Sequence, residues 1–294
     1  MRVPEISSYR NFLISSAQNR ERAARANSEI ATGKRLQKPS DDPAGVAAAL
    51  NSRADQSLNE QQTRAVAAAK DELTASDGAI DHYENLLDRA KVLLARGLSD
   101  PQTDASRAAL ATEVESLRQA AIDVANTQFA GHYLFGGSKS TTPPYAEAGG
   151  VVSYNGDDRA LLSRVSGQSV VQTNVTGHQL FGQAPTIFDT LARASAAIRA
   201  GDATELRKDL GELEGHANNA AQARVQVGAT LDFLNTINDR LETEKLTLGE
   251  RTSKIEDADL VDAATRLQQA QQATEAGLAA GAKVLRVSLL DFLG

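Results

Sequence analysis

Four histidines, His82, His132, His178 and His216, are the first residues to test for metal or acid–base chemistry. They are scattered. His82 lies in a helical pattern and the other three each follow a glycine, so no set of donors stands at ligand spacing. Gly136-Gly137-Ser138-Lys139-Ser140 has the composition of a phosphate loop. It lacks the GxxxxGK[ST] spacing and runs into Pro143-Pro144 instead of a helix, so no nucleotide site is expected. Two acid pairs, Asp41-Asp42 and Asp157-Asp158, would need a walled pocket that splits their pKa values to serve as proton donor and acceptor, and neither context suggests one. The first pair sits at a helix start, where carboxylates are stabilised electrostatically, and the second in a Gly-Asp turn. Asn174-Val175-Thr176 matches a glycosylation acceptor, but the pattern is short and common. The absence of cysteine removes disulfides, zinc–thiolate sites and thiol nucleophiles together. The sequence therefore names no catalytic, cofactor-binding or metal residue, and the chain reads as non-enzymatic with no cofactor.

What the residues do instead follows from the elements that carry them. Apolar residues make up 41% of the chain, a large share of them alanine, while aromatics are 4% and tryptophan is absent. That balance favours long helices packed side by side. A net charge of −7 argues against a nucleic-acid partner. No apolar run approaches the length of about 18 residues that inserts in a membrane. The first residues, MRVPEISSYRNFLISS, lack the apolar core of a secretory signal peptide. Charge is uneven: residues 1–40 carry an excess of bases and residues 254–294 an excess of acids, so the two ends could attract each other.

Prolines and glycines divide the chain. From about Glu5, the residues Ile6, Tyr9, Leu13, Ala17 and Ala24 mark a helix face, and Thr32-Gly33 offers a left-handed stop. Asp42 is placed to cap the next helix with Pro43 at its first position. That helix can run to about Arg96, or turn at Asp77-Gly78. A third helical face follows at Leu110, Val114, Leu117, Ala121, Val124 and Gln128. Residues 131–188 read as strands: Tyr133–Phe135, Val151–Tyr154, Leu161–Val165 and Ser169–Val171 are short apolar runs between turn residues. Asp202 and Glu205 then have capping-box spacing. Positions 206, 210, 213, 217, 220, 224, 227, 231, 234, 238, 241, 245 and 248 form a heptad seam, interrupted by Arg224, Asn238 and Lys245. Ser253 to Glu256 reads as a second capping box opening the last helix, whose face is Leu260, Ala264, Leu267, Gln271, Thr274, Leu278, Ala282, Leu285, Leu289 and Phe292. An apolar chain end of this kind requires a partner. The fold class expected is mainly α: long antiparallel helices forming a coiled-coil rod from both chain ends, with a small β-rich insert domain at its tip. The expected divisions are an N-terminal assembly helix at 1–40, rod segments at 41–130 and 190–254, a β-rich outer domain at 131–189 and a C-terminal assembly helix at 255–294.

Several segments resemble the bacterial flagellin superfamily. Ala31-Thr32-Gly33-Lys34-Arg35-Leu36-Gln37-Lys38-Pro39-Ser40-Asp41-Asp42-Pro43-Ala44-Gly45 is similar to its N-terminal signature, with Pro39, Ser40, Asp41, Asp42 and Pro43 as the linker. Ser253-Lys254-Ile255-Glu256-Asp257-Ala258-Asp259 is similar to its C-terminal signature, carried by Ile255, Glu256, Asp257 and Asp259. Ala125 to Gly137 resembles the junction between helix and outer domain. The Lys-Pro-Ser-Asp-Asp-Pro form and the ending Leu289-Leu290-Asp291-Phe292-Leu293 resemble the members at the hook–filament junction more than filament flagellins. Pro4 and Gly294 depart from that pattern.

The resemblance implies a structural axial protein outside the cell, in the flagellum between hook and filament, exported without a cleaved signal peptide. It implies self-association in a helical assembly, a hook-side junction protein and flagellin as neighbours, and an export chaperone before secretion. The expected subunit interface is Ile6, Tyr9, Phe12 and Leu13 with Leu278, Leu285, Leu289, Leu290, Phe292 and Leu293. Filament flagellin is the alternative within the family. A cytoplasmic coiled-coil adaptor is the alternative of another class.

Overall fold

A computed structural model gives seven helices and six short strands among the described residues, which are 3–99, 103–167 and 169–293. For residues 3–6, 8, 9 and 283–293 the description covers the backbone alone. The fold is mainly α, with long antiparallel helices from both ends of the chain and a small strand-containing insert in the middle. The chain divides into two compact units, Met1–Leu58 with Glu244–Gly294, and Asn59–Thr243.

The first unit is built on α1 (Val3–Thr32) and α7 (Leu260–Leu293), with the start of α2 (Pro43–Gly97) and the end of α6 (Ala203–Glu256). Helix α1 stops where the sequence offers a stop. Gly33 takes φ +68° and its N–H donates to the Glu29 carbonyl at 2.8 Å. Asp42 caps α2 as expected, accepting the Gly45 N–H at 2.9 Å. The expectation for α7 is corrected. Ser253 to Glu256 is the last turn of α6, and Asp259 caps α7 by accepting the N–H groups of Val261 at 2.9 Å and Asp262 at 3.1 Å. Glu256 cannot reach back to a helix start because its carboxylate is held by Lys34 and Arg53.

Helices α1 and α7 run antiparallel, with Glu29 opposite Arg266 at 2.7 Å and the Phe12 ring against Gly277 and Gly281. The faces in contact differ from those read from the large apolar residues. Phe12, Ser16, Asn19, Ala23 and Ala26 of α1 meet Ala263, Leu267, Ala270, Thr274, Gly277 and Gly281 of α7. Leu13, Ala17, Ala24, Leu260, Ala264 and Leu278 are turned outward. The physical reason is size: two helix axes approach closest where the side chains between them are small.

In the second unit, α2 and α6 are antiparallel partners, joined by the Asn59 amide donating to the Leu241 carbonyl at 3.0 Å. Helix α2 is continuous through Asp77-Gly78. On α6 the seven-residue line 206, 213, 220, 227, 234 and 241 is buried, as the heptad requires. The second line is shifted: Asp209, His216, Ala223 and Ile237 are buried, while 210, 217, 224, 231 and 238 are only half-buried. For Asp209 and His216 a further helix accounts for the shift. α5 (Ile187–Ala200) ends at Gly201 and lays Thr190 and Arg193 against Asp209 and His216. Asp202 caps α6 through the N–H groups of Thr204 and Glu205, but the Glu205 side chain turns to Lys208, so only half of the expected capping box forms. α3 (Asp104–Ala125) packs on α5, with the Ser195 hydroxyl donating to the Ala111 carbonyl at 3.0 Å.

The insert is three separate two-stranded hairpins: β1 (Gln128–Phe129) with β2 (His132–Tyr133), β3 (Tyr145–Ala148) with β4 (Val151–Tyr154), and β5 (Leu162–Ser166) with β6 (Ser169–Gln172). Gly149-Gly150, with φ +61° and +83°, makes the tight turn between β3 and β4. A short helix, α4 (Gly177–Phe181), lies where only strands were expected. Thr176 with Gln179 and Thr186 with Asp189 form capping boxes that start α4 and α5. The insert is fastened to α2 by rings. Tyr83 meets Phe181 at 4.8 Å, and Phe181 meets Phe135, Tyr145 and Phe188 at 5.4 to 5.8 Å.

Candidate assembly site

The two signature segments, more than 200 residues apart in sequence, fold onto each other in the first unit. The Arg35 N–H donates to the Glu256 carbonyl at 2.7 Å, and the Ala258 N–H donates to the Gly33 carbonyl at 2.9 Å. Lys34 and Asp257 thereby form an isolated antiparallel bridge. Charge reinforces the backbone bonds. Lys34 Nζ stands 2.8 Å from Asp257 and 3.2 Å from Glu256, and Arg53 reaches Glu256 at 2.8 Å. Glu256 is buried, so its carboxylate depends on these two partners. The hydrogen bond from Arg53, followed by that from Lys34, holds the Glu256 carboxyl below its ordinary value. The Lys34 ammonium is raised in turn, first by Asp257 and then by Glu256.

Around this joint, the Asp41 carboxylate accepts the Lys38 N–H at 2.9 Å and the Arg25 guanidinium at 2.8 Å. The Asp41 carboxyl is lowered, first by the Lys38 N–H. The expected signature residues thus divide. Asp41, Asp42, Glu256, Asp257 and Asp259 make the bonds described, and Pro39 lines a cleft beside Glu256. Ser40 and Pro43 are exposed and Ile255 is half-buried, its carbonyl accepting from Arg35 at 2.9 Å. Lys34, Arg53, Glu29 and Arg266 were not singled out from the sequence. Lys34 stood inside the signature, but Arg53, Glu29 and Arg266 carry no local signal apart from their charge.

Of the expected interface residues, Phe12 packs inward on α7, whereas Leu13 and Leu278 are outward and half exposed. The side chains of Ile6, Tyr9, Leu285, Leu289, Leu290, Phe292 and Leu293 lie outside the described residues.

Two features outside the joint have structural explanations. The Gly136–Ser140 loop folds on an acid: Asp157 accepts the Ser138 N–H at 2.7 Å, so the loop presents a carboxylate where a phosphate would need donors. Gly137, at φ +63°, would place a Cβ 2.0 Å from the Asp157 carbonyl oxygen, which requires glycine there. Among the described residues no group of three or more His, Cys, Asp or Glu could hold a metal ion. Nor is any of the described helices long and apolar enough to cross a membrane.

The sequence matches the bacterial flagellin N-terminal helical region over residues 6–140 and the bacterial flagellin C-terminal helical region over residues 210–293. The chain belongs to the bacterial flagellin family. Within this family it is 26% identical over 261 residues to flagellar hook-associated protein 3 of Escherichia coli (strain K12), covering 84% of this chain and 78% of that protein. It is 25% identical to the protein of the same name in Salmonella typhimurium, covering 80% of each. The fold is similar to that of the flagellar junction protein FlgL from Legionella pneumophila, with a TM-score of 0.61 and 16% identity, over 72% of this chain and all of that one. The flagellin-family segments at 6–140 and 210–293 contain both halves of the Lys34–Glu256 joint.

Proposed function

We propose that this flagellin-family chain is a structural axial subunit that joins the hook of a bacterial flagellum to its filament. The observation that carries the reading is the arrangement of the chain ends. Helices α1 and α7 meet through small residues and leave Leu13, Ile14, Leu260, Val261 and Leu278 exposed. Apolar faces left outward on paired helices suit burial against neighbouring subunits. In this reading the interface continues through Ile6, Tyr9, Leu285, Leu289, Leu290, Phe292 and Leu293, whose types keep the same apolar character. A hook-side junction protein lies below and flagellin above. The chain is exported without a cleaved signal peptide, and an export chaperone covers the C-terminal helix beforehand. The work is mechanical and needs no cofactor.

Deleting residues 284–294 tests the reading. The truncated chain is expected to keep the helical circular-dichroism signal of the full chain and to be missing from isolated hook–filament structures. Filament growth supported by the truncated chain would overturn the role given to that end.

A further inference from the structure

The first unit carries a cleft and a projection that fit each other but are kept apart within one chain. The cleft has a volume of about 190 Å³ and is lined by Leu36, Pro39, Val46, Ala49 and Leu50, with Lys38 and Arg53 also lining it and Glu256 alongside. Leu50 is 59% exposed there. A cavity of about 150 Å³ accommodates a benzene-sized apolar group, so this cleft accommodates one large aliphatic side chain and part of a second. The projection is Asp259-Leu260-Val261-Asp262 at the start of α7. Leu260 is 53% exposed and Val261 is 79% exposed, the highest exposure of any large apolar residue described.

The charges match as well. Lys38 borders the cleft and Asp259 opens the projection, and neither takes part in an ion pair among the described residues, whereas Arg53, Asp257 and Asp262 are held by Glu256, Lys34 and Arg266. Glu256 is already occupied by Lys34 and Arg53, so it leaves little negative charge to repel an acidic visitor. Within one chain the two cannot meet. The Ala258 N–H is fixed to Gly33 and Asp259 caps α7, and with the segment so held Leu260 and Val261 are exposed and do not line the cleft.

We propose that the cleft formed by Leu36, Val46, Ala49 and Leu50 receives Leu260 and Val261 of a second copy of this chain. The contact joins two different surfaces. Made head to tail, as stacking along one axis requires, it propagates from copy to copy as a ring or an open helix; exchanged reciprocally by two copies it would close as a dimer. The inference rests on the axial-assembly reading and deepens it by naming one contact between subunits.

The natural chain has no cysteine, so a pair introduced by substitution reports without background. Chains carrying Leu50→Cys and Val261→Cys together are expressed in the source bacterium in place of the natural chain. Isolated hook–filament structures are then treated with a short linker that joins two thiols. A ladder of linked chains extending past the dimer is expected, with Leu50→Cys alone and Val261→Cys alone giving at most traces of dimer. Monomers only, in structures that do contain the double variant, would overturn this contact and leave the axial role standing. A ladder that stops at the dimer would overturn it too, because two copies would then be exchanging the contact reciprocally instead of passing it head to tail. If the natural chain is absent from hook–filament structures altogether, the axial reading fails and the contact fails with it.

Discussion

Glu256 is the residue on which the joint between the two ends turns. It is buried, and its carboxylate has two cationic partners from segments near the start of the chain, Lys34 and Arg53. Glu256→Gln keeps the shape but removes the charge from both bonds. Hydrogen bonds to charged groups contribute about 1.5 to 3 kcal/mol, and the half-exposed lysine and arginine discount this toward about 1 to 2 kcal/mol. The sign of the pH dependence follows from the directions of the shifts. The Glu256 and Asp257 carboxyls are lowered, so their contribution is complete above their unfolded values, roughly pH 4 to 5. It is lost as pH falls through the lower folded values. The Lys34 ammonium is raised, so its contribution is complete below its unfolded value near pH 10 and is lost only above the folded one. The joint is thus complete between about pH 5 and pH 10. Thermal unfolding followed by circular dichroism should give a lower Tm for Glu256→Gln at pH 7, with the gap to the natural chain closing as pH drops below about 4. A gap that stays constant into acid would show that the charge of Glu256 does not hold the joint.

At the scale of elements, the small-residue seam between α1 and α7 makes a sharper demand than the exposed leucines do. A Cβ on Gly281 would come within 2.9 Å of the Phe12 ring, whereas one on Gly277 would stand at an ordinary 3.7 Å. Gly281→Val is therefore expected to push the helices apart, at the roughly 1 to 3 kcal/mol typical of overpacking, despite valine's better helix propensity. Gly277→Ala should instead stabilise α7 by up to about 1 kcal/mol through helix propensity alone. Melting curves for the two variants should move in opposite directions; a shared direction would mean that Phe12 does not pack as described. The same seam explains what the sequence could and could not reveal. Helix boundaries at Gly33 and Pro43 were legible, because glycine and proline act through local backbone geometry. The line 206, 213, 220, 227, 234 and 241 was legible because one apolar residue recurs at a fixed interval. The seam of α7 was hidden because Ala263, Ala270, Gly277 and Gly281 give a weak apolar signal beside Leu260 and Leu278. Asp209 and His216 were passed over as polar, yet α5 buries both, and only their own seven-residue spacing pointed there. Of the joint, the signature carboxylates were legible as a pattern. Their partners Arg53 and Lys34 depend on pairing across about 200 residues, which no local spacing records.

At the scale of the whole molecule, the two units differ in what holds them together. Every residue of the main hydrophobic cluster lies between Val66 and Leu241, and it includes Tyr83, Phe135, Phe181 and Phe188. In the first unit, the buried apolar residues among those described are Ala26, Ala49, Leu248, Ala263 and Ala270. Four alanines and one leucine remove little apolar surface from water, at about 25 cal/mol per Å². Polar links such as Lys34–Glu256 and Arg266–Glu29 make up much of the rest. These are partly exposed and individually modest. Local opening in the first unit should therefore cost less free energy than opening in the second. This division suits a chain whose ends complete their burial only among neighbouring copies. Hydrogen exchange followed by mass spectrometry on the isolated chain should show peptides within 3–58 and 244–293 exchanging well before those of α3, α5 and the ring cluster. The same terminal peptides, measured in assembled hook–filament structures, should gain at least tenfold in protection while the 59–243 peptides change little. Equal protection of both units in the isolated chain would mean that the ends are stable on their own, and that assembly does not supply the missing burial.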